Sequence, residues 1–268
     1  MICDTIYLRP GEPDIRLCTM AANDEAELAM GPRPAIIVFP GGGYTHLSPR
    51  EAEPIAKKFF AAGFQAFILY YSIGEKARFP RPLEEASMAI SYVRAHAEQY
   101  HVDPARVFVV GFSAGGHLAA SIGTLFDRPE AAFPGMEPGS NRPTGMILSY
   151  AVTCVDTEKI ARSFTQTLGG DVTKEELLRW SPADHVTEQT PPAYIWHTAN
   201  DKTVPILHSL IMAQRLAEKK IPFELHVFPD GPHGLALANA QTAGGKPDFI
   251  RPDAAQWIDE AIDWAKRV

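Results

Sequence analysis

Cysteine, clustered positive charge and long apolar runs are all scarce in this sequence. The 268 residues contain three cysteines, Cys3, Cys18 and Cys154, which are scattered and odd in number. They predict reduced thiols and a cytoplasmic location rather than a disulfide framework. No Cys-x-x-Cys or mixed His/Cys spacing is present, so we expect no metal site.

Charge and hydropathy also exclude two classes of partner. The formal net charge is −7, and no basic cluster is denser than Lys219-Lys220, which argues against binding to nucleic acid. The apolar segments have the length of strands, not the roughly 20 residues of a membrane-spanning helix. The first residues, Met1 to Asp4, offer neither a basic region nor an apolar stretch typical of a signal peptide. We therefore expect neither nucleic-acid nor membrane partners.

What the sequence does contain is an alternation of strand-like and helix-like segments. Residues 35–39, 64–71, 146–152 and 193–197 are apolar strand candidates, whereas residues 81–99, 205–219 and 253–268 have helical periodicity. This alternation predicts an α/β fold with a mostly parallel, twisted sheet and helices on both faces. We expect residues 5–20 to add one or two antiparallel edge strands.

Two regions interrupt the alternation. Residues 127–143 are rich in proline and glycine, and residues 157–192 contain a helical pair in place of a strand. Such insertions usually lie above the edge of the sheet, so we expect both to form a small cap that shapes a substrate cleft. No repeat or flexible linker is visible, and residues 1–268 are predicted to form a single domain.

The most informative motif for function is Gly111-Phe112-Ser113-Ala114-Gly115. A β-branched and aromatic strand candidate, residues 106–110, precedes it, and a small, apolar helix candidate follows it. A G-x-S-x-G turn between a strand and a helix is the context of a nucleophile elbow, which projects a serine hydroxyl from the end of the sheet. The pattern therefore predicts that Ser113 is a nucleophile. The alternative interpretation is a Gly/Ser-rich turn that matches the motif by chance.

A serine nucleophile needs a base, and His233 is the best candidate among nine histidines. In this architecture the order along the chain is serine, acid, histidine, with the acid and histidine beyond the ends of later strands. His233 lies in the Gly/Pro-rich loop after the strand candidate 223–228. His117 is one helical turn beyond Ser113, so we expect it to pack beneath the elbow.

The acid is predicted to be Asp201, which follows the strand candidate 193–197 and precedes the histidine loop. Its rival interpretation is a helix N-cap, for which aspartate is well suited. Asp156, after the preceding strand, is the alternative acid, and Asp230 is too close to His233 along the chain.

Backbone N–H groups should complete the site by binding the negative oxygen that develops on the substrate. Ala114, directly after the nucleophile, is one expected donor. The other should come from the loop Pro40-Gly41-Gly42-Gly43-Tyr44, in which no β-carbon obstructs a ligand. A phosphate-binding loop is a weak alternative, because no Gly-Lys-Ser/Thr or G-x-G-x-x-G motif is present.

Together, the segments 39–44, 48–54, 111–118, 181–184 and 229–235 resemble the esterase/lipase branch of the α/β-hydrolase superfamily. They are most similar to bacterial carbohydrate esterases of the acetyl-xylan and feruloyl-esterase type. The resemblance covers nearly the whole chain and implies the α/β-hydrolase fold and a serine esterase without a cofactor. Hormone-sensitive-lipase-like relatives have the motif His-Gly-Gly-Gly, and in this chain Pro40 stands in place of its histidine. Alignment of that position implies Gly41 and Gly42 as oxyanion donors, with Gly43 as a further candidate.

This resemblance implies hydrolysis of short acyl esters, above all acetyl esters, of carbohydrates such as acetylated xylo-oligosaccharides. The expected partner is thus a small-molecule or oligosaccharide ester. Tyr44, Tyr71 and Trp180 are candidates to line the substrate pocket, with ordinary core packing as an equal alternative. Two other functions share the same motifs: amide hydrolysis, as in arylformamidases or small peptidases, and a catalytically inactive binding module.

Overall fold

An eight-stranded sheet runs through the part of the chain that the structure, a computed structural model, describes: residues 1–28, 30–155 and 173–268. The order of the strands is β1-β2-β4-β3-β5-β6-β7-β8. Their bounds are β1 Thr5–Tyr7, β2 Arg16–Met20, β3 Arg33–Phe39, β4 Gln65–Tyr70, β5 Val102–Phe112, β6 Met146–Ser149, β7 Ala193–Thr198 and β8 Phe223–Phe228.

The sheet is mostly parallel, which confirms the predicted fold class. Strands β3 to β8 are paired in parallel, whereas β1 pairs with β2 and β2 with β4 in antiparallel fashion. The two antiparallel strands are those expected within residues 5–20. Of the two, only β1 lies at the edge of the sheet, because β2 pairs with both β1 and β4. Parallel pairing places the carboxyl ends of β3, β5, β6, β7 and β8 at the same edge of the sheet.

Helices cover both faces of this sheet. Their bounds are α1 Glu53–Ala61, α2 Arg81–Ala95, α3 Ala114–Leu125, α4 Lys174–Arg179, α5 Leu207–Glu218 and α6 Trp257–Arg267. Successive side chains of a strand point to opposite faces, and Ile37 accordingly packs in the core with α2, α3 and α5, whereas Ile36 packs with α1 and α6. Two apolar cores therefore hold the central strands in place.

Several predicted bounds differ from the observed ones for local reasons. The strand predicted over residues 146–152 ends at Ser149, because Tyr150 has a left-handed φ of 38° that no strand continues through. The last helix begins at Trp257, since Ala254–Gln256 forms a 3₁₀ turn. The strand before the elbow begins at Val102, four residues earlier than expected.

The predicted cap-like insertions have different outcomes. Within residues 127–143, Ser140 and Asn141 bond to side chains of α2, and no residue of the insertion lines the cleft described below. Against expectation, this insertion thus packs beside α2 and does not shape the cleft. Residues 156–172, which include the alternative acid Asp156 and part of the second insertion, lie outside the described residues. The single-domain organisation stays a prediction.

Candidate active site

Ser113 occupies a tight turn between β5 and α3. Its φ of 53° and ψ of −115° lie outside the regions that most residues adopt. A β-carbon on Gly111 would stand 2.1 Å from the Gly115 carbonyl oxygen, and one on Gly115 would stand 2.1 Å from that of Phe39. Only glycine fits at both positions, so the strand, turn and helix can pack closely enough to form the elbow.

The structure brings Ser113, His233 and Asp201 into one hydrogen-bonded line. His233 Nε2 lies 2.9 Å from Ser113 Oγ, and His233 Nδ1 lies 2.7 Å from Asp201 Oδ2. Since a carboxylate only accepts, Nδ1 carries the proton and Nε2 accepts from the serine hydroxyl. The arrangement can therefore move a proton from the serine to the imidazole.

Asp201 is held firmly in this line by its own loop. Its Oδ1 accepts hydrogen bonds from the backbone N–H groups of Thr203 (2.8 Å) and Val204 (3.0 Å). Burial acts to raise the pKa of Asp201, but hydrogen bonds from His197 and His233 outweigh burial and hold that pKa well below its usual range. Asp201 is thus ionised at neutral pH, as an orienting carboxylate must be.

The glycine-rich loop after β3 faces the serine turn, but one predicted donor is already occupied. The Gly41 N–H donates to Oε2 of the buried Glu51 over 2.9 Å, so the expectation that Gly41 binds the oxyanion is wrong. In the described part of the chain, the N–H groups of Gly42, Gly43 and Ala114 donate to no protein acceptor. Gly42 and Gly43 have φ values of 135° and 60°, which glycine adopts without strain.

The three aromatic residues predicted to line the substrate pocket are instead buried in the apolar core. Tyr44, Tyr71 and Trp180 are 3%, 1% and 6% exposed. The Tyr44 hydroxyl bonds to His117, the Tyr71 hydroxyl donates to the Pro40 carbonyl, and the Trp180 ring packs on Phe79. The pocket prediction is therefore wrong for all three, because side chains enclosed in this way do not reach a substrate.

A cleft of about 480 Å³ opens beside Ser113 and His233. Its other walls carry both polar and apolar side chains, among them Thr45, His46, Ser48, Thr203, Val204 and Phe249. The hydroxyl groups of these walls can exchange hydrogen bonds with a polar ligand, while Val204 and Phe249 can pack against its apolar parts.

Sequence reasoning assigned no role to Arg50 and Glu51, although both lie in a segment that carries the family resemblance. Arg50 donates to the carbonyl oxygens of Gly234 (2.7 Å) and Thr242 (2.5 Å), and its guanidinium stacks on Phe249. Arg50 thus ties the start of α1 to the loop that carries His233. An arginine and a glutamate shortly before a helix give no sign of this contact in the sequence.

Residues 1–28, 30–155 and 173–268 contain neither a cluster of metal ligands nor a helix suited to span a membrane. No group of three or more histidine, cysteine, aspartate or glutamate side chains there is placed to hold a metal ion. No helix in these ranges has both the length and the apolar character needed to cross a bilayer.

Curated relatives of this chain include enzymes named for xylan. The sequence is 38% identical over 216 residues to endo-1,4-β-xylanase B of Butyrivibrio fibrisolvens, covering 80% of this chain and 34% of that protein. It is 30% identical over 233 residues to an acetylxylan esterase of Xylanibacter ruminicola, covering 84% and 45%. The chain therefore spans between a third and a half of the length of these relatives.

Solved structures match over almost their full length. An α/β hydrolase, MGS-M1, from a Medee basin deep-sea metagenome library has a TM-score of 0.82 and 34% identity, covering 100% of this chain and 97% of that one. An acetyl ester-xyloside bifunctional hydrolase of Caldicellulosiruptor lactoaceticus has a TM-score of 0.80 and 30% identity, covering 98% and 96%. The family model named BD-FAE matches residues 25–216. This chain therefore belongs to the BD-FAE family, and its fold is that of the α/β hydrolases.

Proposed function

We propose that this protein is a serine carboxylesterase that removes short acyl groups, above all acetyl groups, from carbohydrate esters such as acetylated xylo-oligosaccharides. The observation that carries the proposal is the line from Asp201 through His233 to Ser113, with contacts of 2.7 and 2.9 Å. The relatives named for acetylxylan and acetyl ester-xyloside support the choice of substrate.

In the proposed reaction, Ser113 Oγ attacks the ester carbonyl carbon while His233 takes the hydroxyl proton. The N–H groups of Gly42, Gly43 and Ala114 stabilise the oxyanion that forms. His233 then gives its proton to the leaving alcohol, and an acyl-enzyme remains on Ser113. Water, activated by His233, hydrolyses the acyl-enzyme and restores the serine. Asp201 keeps the imidazole in the tautomer that these steps need.

The cleft supports an ester of a sugar more than one of a lipid. Besides Ser113, the hydroxyl-bearing side chains Thr45, Ser48 and Thr203 line it, together with the ring of Phe249. Hydroxyl groups of a sugar can exchange hydrogen bonds with these walls, whereas a long acyl chain offers them no hydrogen bond in place of the water that it displaces. The cytoplasmic location stays a prediction that rests on the scattered cysteines.

A substrate panel tests this proposal. Acetylated xylobiose, p-nitrophenyl acetate, p-nitrophenyl butyrate and N-formylkynurenine are compared by kcat/KM, with Ser113→Ala as the inactive variant. Ser91→Ala, which removes a hydroxyl on α2 that bonds to Ser140, is the matched control. We expect the acetylated sugar to be preferred and only Ser113→Ala to abolish turnover. Exclusive turnover of the butyrate ester or of the formamide would contradict the proposed substrate, and full activity of Ser113→Ala would contradict the mechanism.

A further inference from the structure

Glu51 is a buried carboxylate that the proposed mechanism does not use. It lies at the end of the 3₁₀ turn Pro49–Glu51 and is 4% exposed. Within the described ranges, no lysine or arginine nitrogen lies within 4 Å of it. A buried carboxylate without an ion-pair partner is unfavourable unless hydrogen bonds compensate for its lost hydration.

Both oxygens of Glu51 accept hydrogen bonds from groups of the site. Oε2 accepts from the Gly41 N–H over 2.9 Å, and Oε1 accepts from the Tyr150 hydroxyl over 2.7 Å. A β-carbon on Gly41 would stand 2.6 Å from Glu51 Oε2 and 3.1 Å from Ser113 Cβ. The glycine-rich loop is therefore enclosed between the carboxylate and the nucleophile turn.

Tyr150 extends this contact to the loop that carries the base. Its hydroxyl, which donates to Glu51, also accepts from the Ala236 N–H over 3.0 Å, and its ring packs edge-on against His233 at 5.0 Å. The backbone of Tyr150 is held at a φ of 38°, an unfavourable conformation for a side chain of this size. Glu51 thus contacts one loop directly and the other through Tyr150.

Four titratable or charged groups act on Glu51 from the elements packed around it: Arg50, Tyr71, Tyr150 and His233. Burial raises the pKa of Glu51, while the hydrogen bond from Tyr150, attraction to His233, the Gly41 N–H and Arg50 act in the opposite sense. The same carboxylate contributes to the raised pKa of Tyr71 and of Tyr150. Because both of its oxygens accept hydrogen bonds, the local geometry suits the ionised form.

We propose that Glu51 is a positioning residue that fixes the glycine-rich loop and the histidine loop relative to Ser113. This inference rests on the proposed serine hydrolase function. By occupying the Gly41 N–H, Glu51 leaves Gly42 and Gly43 as the donors of that loop. Through Tyr150 it holds Ala236 and, with it, the segment that begins at His233.

Fluorophosphonate labelling of Ser113 tests this role without depending on any ester. In the labelling step, Ser113 Oγ forms a bond to phosphorus, fluoride leaves, and the serine proton passes to His233. The rate constant therefore reports on the nucleophile, the base and the oxyanion donors together. It is measured for wild type, Glu51→Gln, Tyr150→Phe and the double variant, under conditions in which each is folded.

For Glu51→Gln we expect the labelling rate constant and kcat to fall by about 10- to 100-fold, because small misplacements of reacting groups carry penalties of this size. KM should change by less than about threefold, since the residue does not contact the substrate. Tyr150→Phe loses both hydrogen bonds of its hydroxyl, the one donated to Glu51 and the one accepted from Ala236, and should be slower by about fivefold. The double variant should be no slower than Glu51→Gln, since both changes break the same connection.

Glu53→Gln is the matched control, because Glu53 is two residues away, exposed, and paired with Lys57; it should behave as wild type. A labelling rate of Glu51→Gln within twofold of that control would overturn the proposal. So would a double variant whose loss of labelling rate equals the product of the losses in the two single variants. If Glu51→Gln does not fold, an unchanged rate for Tyr150→Phe overturns it instead. A wild type that is labelled but cleaves no ester contradicts the proposed substrate, and the labelling ratios still decide the role of Glu51. A wild type that is neither labelled nor active contradicts both.

Discussion

The Tyr44 hydroxyl donates a hydrogen bond to Nδ1 of His117 across 2.9 Å, joining the glycine-rich loop to the helix that follows the nucleophile. The Trp180 carbonyl, 2.8 Å from His117 Nε2, only accepts, so Nε2 carries the proton and Nδ1 is the acceptor. His117 is fully buried. Its imidazole is therefore a neutral support beneath the loop, as expected from its place one turn beyond Ser113.

This burial predicts that the protein loses stability in mild acid. Burial lowers the pKa of His117 to about 4, against an ordinary value near 6.5, although the bond to Trp180 acts in the opposite sense. Between pH 4 and 6.5, the unfolded chain binds a proton at His117 that the folded protein does not bind. The contribution of His117 to the free energy of unfolding is fully present above pH 6.5. It falls by about 3 kcal/mol as the pH approaches 4.

Urea unfolding at pH 7.5, 6.0 and 5.0 measures this dependence. His117→Gln should unfold more easily at pH 7.5, by about 1–3 kcal/mol, and should lose stability less steeply towards pH 5. His46→Gln, at an exposed histidine, is the control and should unfold like the wild type at pH 7.5. If the slope in His117→Gln is as steep as that of the wild type, the proton is taken up elsewhere.

A second prediction concerns the acid of the proposed triad. Asp201→Asn should keep the bonds to the Thr203 and Val204 N–H groups but no longer require a proton on His233 Nδ1. We expect kcat to fall by about 10⁴-fold, the usual effect of the wrong imidazole tautomer. Asp230→Asn, in the same loop as His233 and 60% exposed at its side chain, should remain active. Asp156→Asn should remain active too; an inactive Asp156→Asn beside an active Asp201→Asn would reverse the assignment.

The fold and the candidate catalytic line were predictable because they depend on local patterns with a fixed spatial meaning. Apolar runs of strand length, alternating with helices, specify a parallel sheet, and the carboxyl ends of its strands necessarily meet at one edge. Ser113 directly follows the end of β5, and Asp201 and His233 lie in the loops just after the ends of β7 and β8. Their approach in space therefore follows from the order of the sheet, which places β7 and β8 beside β6 and β5.

The environment of the site was not predictable, because it depends on contacts between distant segments. Glu51 meets Tyr150 from 99 residues away, and Arg50 meets Gly234 from 184 residues away. A glycine triplet indicates that a backbone can approach a ligand, but not which N–H group another side chain already occupies. Likewise, an aromatic residue near a strand end packs inward or outward according to neighbours that one sequence does not reveal.

A third prediction follows from the contact between the elbow and β3. In Gly115→Ala the new β-carbon would stand 2.1 Å from the Phe39 carbonyl oxygen and 2.5 Å from that of Pro40. Backbone atoms cannot yield as a flexible side chain can, so we expect destabilisation of at least about 3 kcal/mol and a displaced glycine-rich loop. Gly244→Ala, where a β-carbon meets nothing within 4 Å at a φ of 60°, should cost about 1 kcal/mol. Equal melting temperatures for the two variants would contradict this packing.

The last prediction decides between the core and the substrate pocket for Tyr71. Its hydroxyl donates to the Pro40 carbonyl over 2.5 Å, and its ring packs edge-on against Tyr44 at 5.6 Å. Tyr71→Phe leaves that buried carbonyl without its donor, so we expect the free energy of unfolding to fall by about 1–3 kcal/mol. The exposed Tyr7→Phe should be neutral. The ratio of kcat/KM for acetylated xylobiose to that for p-nitrophenyl acetate should stay at the wild-type value, because the ring is too deeply enclosed to contact a sugar. A selective loss on the sugar ester at unchanged stability would place Tyr71 in the pocket after all.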